Sequence, residues 1–133
     1  MLNFELKHIP FRPEKPRKEG VTMVIDKGMS IRETEDFLSI SADYVDIVKL
    51  GWGTSVLTPK LQEKLAVFAA HNMPVYFGGT LFEIFYVRKQ LDDYCRILDD
   101  LKIGHLEVSD GSMDMSTEEK TAVIRQLSKN FTV

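Results

Sequence analysis

From residue 21 onward, short apolar runs alternate with longer stretches whose apolar residues recur at helical spacing. VTMVID (21–26) is short, apolar and β-branched, which predicts a buried strand. YVDIVKL (44–50), MPVYFGG (73–79) and HLEVSD (105–110) predict three more. Ser30, with Glu33 three residues on, has the form of a capping box opening IRETEDFLSI. Ile31, Thr34, Phe37, Leu38 and Ser41 then approximate one helical face. Thr58-Pro59 reads as N-cap plus first-turn proline for KLQEKLAVFAAH, with Leu61, Leu65, Phe68 and Ala69 on one side. LFEIFYVRKQ predicts a short helix, and LDDYCRILDDL (91–101) a second one or its continuation. Ser116 with Glu119 predicts another capping box, before EEKTAVIRQLSKN, and Phe131-Thr132-Val133 reads as the opening of a fifth strand. Strands alternating with helices imply a parallel sheet with helical crossovers, here about four β-α units.

The strand ends share a chemistry. They read Asp26-Lys27-Gly28, Lys49-Leu50-Gly51-Trp52-Gly53-Thr54, Gly78-Gly79-Thr80 and Ser109-Asp110-Gly111-Ser112. In parallel α/β folds these carboxyl ends lie on one edge, where ligands bind. The glycines let backbone N–H groups approach a ligand, and the hydroxyls cap the next helix or hold an anion. Strand alternation puts Lys49 on a face with Val45 and Ile47, opposite Asp46, Val48 and Leu50. A lysine on a largely apolar face is costly unless paired. Glu107 and Ser109 share one face of the fourth strand, so Lys49 and Glu107 would meet if the two faces converge. The other reading is that Lys49 snorkels to the rim. Trp52 reads as a packing lid for its loop.

Composition narrows the classes. The chain has 133 residues, enough for one domain with a real core, and 44% hydrophobic and 28% charged residues are ordinary for a globular protein. A net charge of −3 does not suggest a general nucleic-acid binder. One cysteine, Cys95, excludes an internal disulfide and a cysteine-cluster zinc site. No apolar run approaches the roughly 20 residues of a membrane helix, and the N-terminus lacks a signal-peptide layout, so a cytoplasmic location and no membrane partner are expected. His8, His71 and His105 have no metal-triad spacing. Gly78-Gly79 fits no nucleotide fingerprint. Residues 1–20 read as an extended basic arm, since FRPEKPRKEG carries two prolines and four basic residues. The arm is either a solvated leader or a basic flap near an anionic ligand, and residues 21–133 form the domain.

KEGVTMVIDKG, DIVKLGWGTS, VYFGGTLFE and EVSDGSMDMS, in that order, resemble the phosphosulfolactate synthases over nearly all of residues 10–133. Bacterial relatives carry an RPEKPR-like leader as well, and a plant heat-stress protein group is similar to these enzymes. The resemblance implies a TIM-type (β/α)₈ barrel and a carbon–sulfur lyase of coenzyme M biosynthesis, adding sulfite to phosphoenolpyruvate with Mg²⁺. Such a barrel takes about 200 residues or more, and the family's next motif, similar to LSEVGKK with its proposed acid lysine, is not among these residues. The expectation is therefore an N-terminal half barrel, incomplete for catalysis. The implied chemistry places roles on residues. Sulfite would add to the methylene carbon, and charge would develop on the carboxylate as an enediolate that a cation stabilises. Lys49 and Asp26 are the catalytic candidates. Lys27, Gly51, Gly53, Gly78, Gly79, Thr80 and Ser109 are the substrate-binding candidates, and Glu107 and Asp110 the magnesium ligands. These roles follow from chemistry and position, whereas the resemblance supports the motifs. The expected partners are small anionic substrates and a second copy of the chain, because a half barrel leaves open edges and an inner face exposing Val45, Ile47 and Phe77. Two other readings stand beside this one: a non-catalytic half-barrel or stress-protein-like module, and an open flavodoxin-like binding domain.

Overall fold

A computed structural model describes residues 3–133. Four parallel strands form one sheet in the order β1 (Met23–Asp26), β2 (Ile47–Leu50), β3 (Val75–Phe77) and β4 (His105–Leu106). Each strand is followed by helix: α1 (Ile31–Ser41), α2 (Leu61–Ala70), the pair α3 (Gly79–Val87) and α4 (Leu91–Asp100), and α5 (Thr117–Leu127). Thr132 continues the series, bridging His105 in parallel and exchanging backbone hydrogen bonds with Gly104 and Leu106 at 2.9 and 3.0 Å. Sequential order, all-parallel pairing and one helical layer make this an α/β fold with the arrangement of half of a (β/α)₈ barrel.

The strands are shorter than their apolar runs, two to four residues each, because only part of each run completes a ladder. One face of the sheet is covered by the helices. Val48, Leu50, Phe77, Leu106 and Val108 point into that layer, where Leu38, Phe68, Phe82, Tyr94 and Leu98 meet them. The other face carries Met23, Ile25, Ile47, Lys49, Tyr76 and His105 and is open, with Met23 and Ile25 about two-fifths exposed. The expected inner face is thus corrected at two positions. Phe77 pairs with Leu50 and shares its buried side. Val45 is buried because the alternation is reset before β2 begins: the Asp46 and Ile47 amides both donate to the Thr22 carbonyl, an irregular step of the kind that turns a strand. Ile47 alone of the three lies on the open face.

Helix starts follow the expected caps only in part. Ser30 caps α1, and the capping box with Glu33 is complete. Ser116 caps α5 by accepting from the Glu119 amide, but the Glu119 carboxylate accepts the Tyr86 hydroxyl at 2.6 Å instead of closing a box. Thr58-Pro59 does not start α2. The Thr58 hydroxyl donates to the Thr54 carbonyl, Lys60 takes a left-handed conformation with φ 56°, and the helix begins at Leu61. In α2 Ala69 is exposed and Lys64 is buried, so the predicted apolar face is rotated. The stretch 81–101 divides into α3 and α4, with Lys89 at φ 58° between them.

Three basic residues of the arm lie at the amino-terminal edge of the sheet. Arg12 donates to the Thr22 hydroxyl and the Tyr44 carbonyl, Lys15 to the Ala42 and Val45 carbonyls, and Arg17 to Asp46 at 2.8 Å. Burial works against ionisation of Asp46, but the Thr22 amide and the Arg17 guanidinium outweigh it and hold the carboxyl below its usual range. This places Arg12, Lys15 and Arg17 at the edge of the sheet opposite the strands' carboxyl ends. Among the described residues no helix is long and apolar enough to cross a membrane.

Candidate active site

The carboxyl edge of the sheet holds a cleft of about 270 Å³ lined by Ile25, Lys49, Gly51, Trp52, Gly79, Thr80, Glu83, Glu107, Ser109, Gly111 and Ser112. Its floor is an ion pair. Lys49 Nζ lies 2.6 Å from Glu107 Oε2, with the two side chains 21% and 33% exposed. Lys49 stands on β2 and Glu107 just past β4, so the lysine must cross the end of β3. Gly78 makes that crossing possible. A Cβ there would lie 2.9 Å from Lys49 Cε and 3.2 Å from the Leu50 carbonyl oxygen. Gly79 does the same for the far wall, because a Cβ would sit 2.6 Å from Ser109 Oγ and 2.9 Å from Glu107 Oε1. The double glycine is therefore a clearance under the ion pair and not a flexible joint. Gly51 likewise leaves room for Ile25 and the Asp26 carbonyl.

Tyr76, paired in register with Lys49, extends the polar floor along the open face. Burial and then the Glu107 charge push its phenol pKa up, against the opposing pull of Lys49. The amino-terminus of α3 opens onto the cleft through Gly79 and Thr80, and no side chain caps it.

Glu83, on the first turns of α3, is the residue that sequence reasoning missed. It is 5% exposed and has four donors: Ser109 Oγ and the Gly111 amide (2.8 Å) on Oε1, the Ser112 amide (3.2 Å) and Ser112 Oγ on Oε2. Burial raises its pKa, but the two hydroxyls and two amides more than compensate and leave it below the usual value. Its signal was present in the sequence: one carboxylate inside the otherwise apolar GTLFEIFYV, directly after a strand end.

Asp26, Lys27, Gly53, Gly78 and Asp110 are not among the cleft-lining residues. Asp26 is on the helix-covered side of β1. It is 1% exposed, with Oδ1 accepting from the Gly28 and Met29 amides at 2.7 Å and Oδ2 2.5 Å from Lys64 Nζ. The sheet separates it from Lys49, which corrects its assignment as a catalytic group. Asp110 turns outward to Lys120 at 2.7 Å, and that hydrogen bond lowers its pKa. It does not converge with Glu107. Lys27 stands 5.3 Å above the Trp52 ring, a cation–π contact at the rim, not in the cleft lining. Trp52 is 57% exposed at φ 48°, so it borders the cleft and does not pack as a lid. Gly53, with φ 70°, completes that left-handed turn. Among the described residues no three His, Cys, Asp or Glu side chains form a metal cluster. Of the two expected magnesium ligands, Glu107 lines the cleft and Asp110 does not.

Fold and site together define a parallel α/β protein with a polar strand-end cleft of the barrel-enzyme kind. The chain belongs to the (2R)-phospho-3-sulfolactate synthase (ComA) family, whose pattern it matches over residues 10–133. It is 37% identical over all 133 residues to the phosphosulfolactate synthase of Bacillus subtilis, covering 52% of that protein. It is 41% identical over 117 residues to the phosphosulfolactate synthase of Methanothermobacter thermautotrophicus, covering 45% of it. With that of Methanocaldococcus jannaschii it shares 37% over 115 residues, covering 46%. The chain thus spans about half the length of these curated relatives.

Proposed function

We propose that this chain carries the first half of a phosphosulfolactate synthase-type lyase site, in which sulfite adds to phosphoenolpyruvate on the way to coenzyme M. The observation that carries this reading is the Lys49–Glu107 pair, bared by Gly78 and Gly79 at the carboxyl edge of a chain that matches the family over residues 10–133. Phosphoenolpyruvate and sulfite are anions. Lys49 is the cation inside the cleft, and the uncapped amino-terminus of α3 adds the partial positive charge of its free N–H groups. Lys49 would orient the substrate carboxylate and oppose the charge that develops on it. Gly51, Gly79 and Thr80 bring backbone close to the ligand, and Lys27 at the rim steers anions towards it.

Magnesium prefers oxygen donors and is commonly held by one or two carboxylates together with water and substrate oxygens. Glu107, which lines the cleft with Oε2 paired to Lys49, fits that role, whereas Asp110, paired to Lys120, lies outside the cleft lining. When bound, the ion would neutralise developing enediolate charge beside Lys49. Self-association belongs to the same proposal, since the open face of Met23, Ile25, Ile47 and Tyr76 is an apolar surface without a cover.

The test is direct binding. Trp52 is the only tryptophan and borders the cleft, so its fluorescence reports occupancy. Phosphoenolpyruvate titrated into the 133-residue chain should change the emission, and Lys49→Met should weaken binding by about tenfold or more, as expected for loss of a 1.4 kcal/mol charge contact. Equal affinity in the two proteins would remove Lys49 from the site.

A further inference from the structure

A hydroxyl group has one proton to give. Ser109 and Ser112 both direct theirs at Glu83, whose two oxygens also accept the Gly111 and Ser112 amides. Glu83 is 5% exposed and has no cation among its partners in the described residues, so these four donors are what satisfies it. We infer that Glu83 is a positioning residue that consumes the hydroxyl protons of the 109–112 loop and turns that wall of the cleft into a hydrogen-bond acceptor surface. Serines at a strand end ordinarily invite the opposite reading, as donors to an anion.

The consequence is a polarised cleft. Lys49 and the start of α3 form the donor side. Glu107 Oε1 and Ser109 Oγ, which approach the same point above Gly79, form the acceptor side. An anionic group can sit against the first but not the second, where only a donor or a cation is accommodated. Ser109 then limits how a substrate with anionic groups at both ends can be oriented. It does so without donating to any of them. The lowered pKa of Glu83 agrees with this, since an ionised carboxylate can only accept. The inference deepens the anion-site reading proposed above and rests on it for the identity of the ligand, but the role of Glu83 is measurable without any ligand.

Proton NMR of the 133-residue chain is the experiment. Hydroxyl protons held by a buried carboxylate exchange slowly enough to be seen, so Ser109 and Ser112 should each give a hydroxyl signal with cross-peaks to Glu83. Glu83→Gln keeps the shape but leaves one acceptor oxygen. One of the two hydroxyl signals should vanish, and the amide beside it should exchange about tenfold faster or more, as for any opened local hydrogen bond. A purely packing role predicts no change in Glu83→Gln, and that result would overturn the inference. If Glu83→Gln does not fold, Ser112→Ala serves instead: it should remove only the Ser112 signal and leave that of Ser109 in place, and loss of both would equally overturn it. Inorganic phosphate, added to the unsubstituted chain, should shift the Gly79 and Thr80 amides while the Ser109 hydroxyl signal persists. Capture of that hydroxyl by phosphate would contradict an acceptor wall. Failure of phosphate to move Gly79 and Thr80 would remove the anion reading, and the Glu83 signals would still decide the positioning role.

Discussion

Lys49 and Glu83 show how a single side chain acquires a role from what its neighbours lack or supply. Lys49 reaches Glu107 because Gly78 has no Cβ in its path. Glu83 stays ionised in a buried setting because four donors face it. Strand alternation made the first legible: it put Lys49 and Glu107 on sheet faces able to converge, and they meet at 2.6 Å. The second was hidden, because a glutamate in a helix ordinarily faces water and nothing local tells which loop folds back onto it. Asp26 misled for the opposite reason. One step along β1 exchanges sheet faces, and its place beside the motif lysine says nothing about the side it points to. Asp46 and Glu83 both have pKa values lowered by folding, so each stabilises the native state above its ordinary value and loses that contribution as pH falls through the depressed one. Stability measured by denaturant titration should therefore be flat near neutrality and fall below about pH 4–4.5, the ordinary carboxylate range. In Asp46→Asn that fall should be shallower. An identical acid profile in the variant would show that Asp46 is not held by Arg17 and Thr22.

Elements were legible where their signals are local. The Ser30–Glu33 box, the four parallel strands and the opening of a fifth at Thr132 all follow from short-range pattern. The start of α2 was not, because the Gly51–Val56 segment winds into a 3-10 turn that carries Thr58 into a hydrogen bond with Thr54 and displaces the cap. Lys64 on α2 was missed for the same reason: its value lies in another element. It is 2% exposed, pairs with Asp26 and donates to the Met29 carbonyl at 2.6 Å, which ties α2 to the loop after β1. Removing one partner of a buried pair strands the other. Lys64→Met should cost about 3–5 kcal/mol, towards the lower end because Asp26 keeps two amide donors. Lys64→Met with Asp26→Asn should recover much of that loss in the same thermal melts. Additive losses in the double variant would mean that the two side chains do not depend on each other.

At the scale of the molecule, one face of the sheet is a finished core and the other is not. Met23, Ile25, Ile47 and Tyr76 stand on the open face, and β1 presents an unpaired edge. Covering a large apolar side chain is worth roughly 1.5–3 kcal/mol, sizeable against a total stability of about 5–15 kcal/mol. Light scattering at micromolar concentration should accordingly give the mass of two or more chains, and Ile47→Lys should shift it downward. A dispersed monomer, with its open face stable in water, would favour an open-sheet protein over a half barrel.

We propose that these residues form the first half of a synthase site built on Lys49. The most direct test is a hybrid in which residues 10–133 replace the matching half of the Bacillus subtilis phosphosulfolactate synthase. With sulfite, phosphoenolpyruvate and magnesium, the hybrid should form phosphosulfolactate, and Lys49→Met should lower kcat/KM by about a hundredfold, close to the 2.7 kcal/mol that loss of one charge-stabilising contact removes. A folded hybrid that makes no product, or one that Lys49→Met leaves fully active, would show that these residues do not supply half of a synthase site built on Lys49.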